Sequence, residues 1–88
     1  MTFFFKYYDN GEEVLLNATA IDKIIINEVE ARTNGGEATT EYAIMGVGVR
    51  IPVMLFASAS LDRAEDVFNS ITQQISEGAT LITIPESE

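Results

Sequence analysis

Between Tyr42 and Ala59 the chain runs YAIMGVGVRIPVMLFASA, and Arg50 is the only charge in those 18 residues. A stretch this apolar has to be hidden, and few architectures hide it. As a membrane-spanning helix it sits at the lower limit of length, with Arg50 and Pro52 at its centre, where a charge is costly and proline removes a backbone donor. Two extended strands meeting near Arg50 and Pro52 fit better. Tyr42 and Ile44 then share one face, with Ala43, Met45, Val47 and Val49 on the other, while Ile51, Val53 and Leu55 oppose Met54 and Phe56. Both faces are apolar. One helix covers only one side of such a sheet, so the other side must close into a barrel or meet another chain.

The rest of the chain supplies one clear helix and several more strands. Ser60 offers a capping oxygen, Asp62, Glu65 and Asp66 put negative charge in the first turns, and Leu61, Ala64, Val67, Phe68, Ile71 and Ile75 recur at helical spacing up to the stop at Gly78. Upstream, the aromatic run Thr2–Tyr8 breaks at Asp9-Asn10-Gly11, a tight hairpin signal, and returns through Glu12–Leu16. Asn17-Ala18-Thr19-Ala20 reads as a corner or a single short turn. Residues 21–32 read as a strand with Ile24, Ile26, Glu28 and Glu30 on one face, although Ile21, Ile24, Ile25 and Glu28 also fit a helical period. A glycine-bearing loop follows over 33–40, and Thr80–Ile84 closes as a short strand.

The expected class is therefore α+β: a small curved antiparallel sheet of about five to six strands with one C-terminal amphipathic helix packed on one face. The 88 residues make one domain over 1–84, with 85–88 as a frayed tail. A core this small is marginal, and with no Cys and no His the chain has neither disulfide nor zinc staple. Association with a second copy is the remaining device.

Charge narrows the partners. The formal net charge is −9, which disfavours direct nucleic-acid binding and anionic lipid and favours solubility or a basic protein surface. The opening MTFFFKYYDN has no basic, apolar and small-residue signal pattern, so no membrane attachment and a cytoplasmic location are expected.

Chemistry is thin. Without His or Cys an enzyme would depend on carboxylates, Lys6, Lys23, Tyr or Ser and Thr. Asp9-Asn10-Gly11-Glu12-Glu13 lacks the ligand spacing of a calcium loop, and Glu28 and Glu30 have no third partner in sight. GVGVR lacks the third glycine of a dinucleotide fingerprint and the Lys of a phosphate loop, which leaves Gly46 and Gly48 as bends or places of close backbone approach. No catalytic residue, metal or cofactor is assigned, and the chain is expected not to be an enzyme.

The stretches NGEEVLLNATAIDKI and SASLDRAEDVFNSI, together about a third of the chain, loosely resemble small flagellar proteins of the FlbD type and the sheet portion of LytTR-type modules. The apolar double strand and the acidity depart from that pattern, and no functional residue is carried over.

The leading expectation is a self-associating protein-interaction module, a homodimer with a possible protein partner. Its candidate interface is Phe3, Phe5, Tyr42, Ile44, Val47, Ile51, Val53 and Leu55. An alternative is an acidic inhibitor or nucleic-acid mimic from a phage or mobile element, binding a basic groove through Glu12, Glu13, Glu28, Glu30 and Glu41 as one continuous track. A second alternative is a ligand-binding pocket in the curved sheet, lined by Tyr7, Tyr8 and Tyr42, with Arg50 as anion anchor.

Overall fold

The structure, a computed structural model, describes residues 3–32, 35–48 and 52–87. The chain opens with a hairpin of strands β1 (Phe4–Asp9) and β2 (Glu12–Asn17), joined through Asn10 and Gly11. Both turn residues have positive φ, 50° and 82°, which is the conformation the Asn-Gly pair tolerates and the twist of a two-residue hairpin requires.

A 3₁₀ turn over Ala18–Ala20 then redirects the chain. Asn17 caps it by accepting from the Thr19 N–H at 3.0 Å, and the Ala18 N–H donates back to the Phe3 carbonyl at 2.9 Å. Beyond this corner lie strands β3 (Lys23–Arg32), β4 (Ala38–Val47) and β5 (Val53–Ser58), helix α1 (Leu61–Ser76) and strand β6 (Leu81–Thr83). Residues 23–32 are thus strand, and the helical reading of that segment is set aside. The 33–40 loop is shorter than expected, because β4 already begins at Ala38; Thr33 and Asn34 lie outside the described residues.

The expected α+β class is what the chain adopts, with one correction. There is no single antiparallel sheet but two sheets of three strands, ordered β2-β1-β6 and β3-β4-β5, and β1 pairs with β6 in parallel. The reason is the corner: once the 3₁₀ turn has led the chain away from β2, β3 starts a new ladder with β4, and the helix carries the chain back to the free side of β1.

Alternation in the apolar double strand is also broken. Ile44 pairs with Phe56 but Met45 pairs with Met54, so Leu55 is an extra residue in a β-bulge. Leu55 and Phe56, neighbours that a regular strand would send to opposite faces, are 1% and 0% exposed. They join Phe5, Tyr7, Ile44, Val67, Ile71, Ile82 and Ile84 in one core between the two sheets and the helix.

Helix α1 begins where the capping oxygen stands: the Ser60 hydroxyl accepts from the Arg63 N–H at 3.3 Å. It ends before Gly78, whose φ of 76° is open to glycine at no steric cost. From its exposed flank Gln74 reaches β6, accepting from the Thr83 N–H at 3.0 Å and donating to the Thr83 carbonyl at 3.2 Å, so that one side-chain amide behaves as a one-residue strand. The segment after β6 is tied down as well. The Ile84 N–H donates to the Lys6 carbonyl at 2.9 Å, and the Ser87 hydroxyl accepts from the Ala57 N–H at 3.0 Å. Residues 85–87 are solvent-exposed, with Ser87 bonded to β5, and Glu88 lies outside the described residues.

Candidate interaction surface

The helix covers one face of the β3-β4-β5 sheet, and register decides which residues that face holds. Ile24 stands level with Gly46 and Val53, and Ile26 with Ile44 and Phe56; these rows point to the helix and the core. The intervening row is Ile25, Met45 and Met54, which by the pleat stands on the opposite face. Ile25 is 38% and Met54 48% exposed, with Met45 half-buried between them. Beside this row the same face is covered: Ala43 and Ala57 are 0% and 6% exposed, and Met54 borders a concavity walled by the Asp9–Gly11 turn and Glu86–Ser87.

Most of the expected interface residues are elsewhere. Phe5, Ile44 and Leu55 are sealed in the core, and Phe3, Tyr42 and Val53 are half-buried on the side of the core. Val47 alone belongs to the open face, where it stands level with Lys23. Ile51 and the proposed anion anchor Arg50 lie outside the described residues. The sequence pattern showed two apolar faces but contained no mark of which one the helix takes, and the bulge at Leu55 moved that residue inward. Ile25, Met45 and Met54 were missed for this reason; an apolar residue at the centre of each strand was the available signal.

The tyrosines do not meet in one pocket. Tyr7 is a core residue, and burial, with the Asp9 carboxylate adding to it, holds its phenol above the usual value. Tyr8 lies on the outer side of β1, where its hydroxyl donates to Glu13 at 3.1 Å, and this bond raises its pKa. Lys6 pairs with the same carboxylate at 3.3 Å. Tyr42 is on the helix-side face of β4.

Of the concavities along the sheet, two bear on these residues. One, about 330 Å³, is apolar and lies between the corner and the helix, with Phe3, Ile21, Ile24, Phe68 and Ile75 around it. The other, about 450 Å³, has Met54 and Ala57 below and Asp9, Glu41 and Glu86 at its rim. No group of three or more side chains suited to a metal ion occurs among the described residues. The carboxylates proposed as one acidic track are divided: Glu28 and Glu30 are on the helix-side face of β3, whereas Glu41, level with Val29, is on the other. No helix among the described residues is long and apolar enough to cross a membrane.

The close approach read into Gly46 and Gly48 comes from the chain's own corner. A Cβ on Gly46 would meet the Ile21 side chain at 2.8 Å, and one on Gly48 would collide with the Ala20 carbonyl oxygen. The Asp22 N–H donates to the Val47 carbonyl at 2.8 Å between them. No family model matches the chain, and no curated protein or solved structure matches it.

Proposed function

We propose that this chain is a non-enzymatic protein-interaction module that works as a homodimer, associating through its β3-β4-β5 sheet. The observation that carries this reading is the Ile25–Met45–Met54 row, an apolar band on a sheet whose helix lies on the other side. A second copy is the occupant favoured by area. The accessible surface is 5819 Å² for 9.7 kDa, where a compact monomer of that mass exposes about 5,100 Å². The excess is close to one partner's share of an ordinary interface, about 800 Å².

Light scattering across a dilution series, with thermal unfolding at each concentration, tests the reading. The expected result is a dimer whose melting temperature falls on dilution. A monomer of constant melting temperature at every concentration overturns it.

An inhibitor that occupies a basic groove is the weaker reading, since Glu41 and the pair Glu28 and Glu30 are on opposite faces of the same ribbon.

A further inference from the structure

The apolar concavity of about 330 Å³ lies on the helix side of the β3-β4-β5 sheet, on the face opposite the Ile25–Met45–Met54 row. Phe5 of β1 and Ile71 of α1, each 1% exposed, are its most buried lining, with Ala18 of the 3₁₀ turn also buried. Ile21, Ile24 and Phe68 are half-buried around it, and Ile75 is 41% exposed. The volume is at the lower end of the range for small-molecule sites.

The fold holds these walls by its own backbone bonds. The Ile21 N–H donates to the Ala18 carbonyl at 3.0 Å, the Ala18 N–H to the Phe3 carbonyl at 2.9 Å, and the Asp22 N–H to the Val47 carbonyl at 2.8 Å. The turn is thereby fixed to the start of β1 on one side and to β4 on the other, so the cavity is ready-formed.

Its chemistry is one-sided. Among the described residues no buried side-chain nitrogen or oxygen lacks a hydrogen-bond partner, so the interior suits an apolar body. The exposed polar groups of the lining offer acceptors. Asp22 supplies a carboxylate, and the Thr72 hydroxyl, which donates to the Phe68 carbonyl at 3.0 Å, keeps its acceptor capacity. Lys23 belongs to the wall, but the pleat directs its side chain to the face opposite Ile24. Thr72 and Ile75 stand near the C-terminal end of α1, the negative end of the helix dipole, whose last turn has no basic residue. The rings of Phe3 and Phe68 add faces that attract a cation, and the net charge of −9 draws cations from a distance.

We propose that this cavity binds an amine with an apolar body. The hydrocarbon lies against Phe5 and Ile71, and the ammonium stays at the mouth, where Asp22 and Thr72 offer acceptors. A carboxylate or phosphate in the same place would meet Asp22 and the helix end instead. The site is on the face away from the proposed dimer contact, so its test does not depend on self-association.

That test is a titration of the isotope-labelled chain with octylammonium, followed by amide chemical shifts. Octanoate and octanol vary the head, and tetramethylammonium keeps the charge without the chain. Octylammonium is expected to give saturable shifts at Ile21, Ile24, Thr72 and Ile75, and tetramethylammonium and octanoate none. Asp22→Asn is expected to weaken octylammonium binding about threefold, the size of an exposed ion pair. Thr72→Phe, which fills the cavity from an exposed position, is expected to abolish it. Octanoate or octanol binding as tightly as octylammonium, or octylammonium binding unchanged by Asp22→Asn, overturns the amine. Shifts that survive Thr72→Phe, or that spread over the acidic surface without saturating at the cavity, overturn the cavity as the site. No saturable shift with any probe overturns the proposal as a whole.

Discussion

Gly48 is the residue with the least freedom to change. A side chain there runs into the Ala20 carbonyl oxygen, a backbone atom held by the 3₁₀ turn, whereas at Gly46 the obstacle is the end of the Ile21 side chain, which can turn aside. Urea unfolding should therefore rank the two: Gly48→Ala is expected to cost about 3 kcal/mol and Gly46→Ala about 1 kcal/mol. Equal losses would mean that the corner does not press on the end of β4. The sequence was legible here as a place of close approach, and illegible as to what approaches, because Ala20 and Gly48 are brought together only by the tertiary fold. Tyr7 allows a second check at this scale. Its phenol is held above the ordinary value near 10 by burial and then by Asp9, so folding favours the neutral form. Its contribution is whole below pH of about 10 and is lost as pH rises through the raised value. Alkaline titration followed by phenolate absorbance should show this tyrosine ionising late and together with unfolding, and Tyr7→Phe should shift the alkaline midpoint upward.

Elements whose signals are local were readable, and those set by contact between elements were not. The Asn10-Gly11 hairpin and the Ser60-to-Gly78 helix lie where their turn and cap chemistry places them. The two-sheet division was not foreseen, because nothing within β1 says that its second neighbour will be β6 rather than a strand of the long hairpin. The bulge at Leu55 has no composition cue either: Met54-Leu55-Phe56 is equally apolar throughout, and packing selects which two of the three turn inward. Two substitutions test the helix as a positioned element. Ser60→Ala is expected to cost about 1 kcal/mol in denaturant unfolding, the usual value of a capping hydroxyl. Gln74→Met keeps the bulk of the side chain but cannot bond Thr83, and amide exchange at Thr83 should rise well above that of the core strands. Unchanged exchange there would show that the side-chain amide does not hold β6.

At the scale of the whole molecule, shape and charge act against each other. The chain measures 46 × 26 × 22 Å, long because β5 pairs with β4 only from Tyr42 to Gly46 and leaves the outer β3-β4 ribbon with two strands. A two-stranded ribbon is marginal in water, which favours company; two copies at −9 each repel, which opposes it. Added salt should then tighten self-association, since screening weakens the repulsion between copies more than it weakens apolar contact. Sedimentation at about 50 mM and 500 mM sodium chloride, between which the screening length falls about threefold, reads the sign. Weaker association at high salt would indicate that contacts between opposite charges dominate the interface. The parallel pairing of β1 with β6 has a consequence in time. The β1-β2 hairpin is the first part of this sequence to leave the ribosome, yet Phe5 and Tyr7 reach their neighbours Ile82 and Ile84 only after β6 has been made. Until then the core lacks Ile82 and Ile84, so the contacts that complete it join residues more than seventy positions apart in the chain.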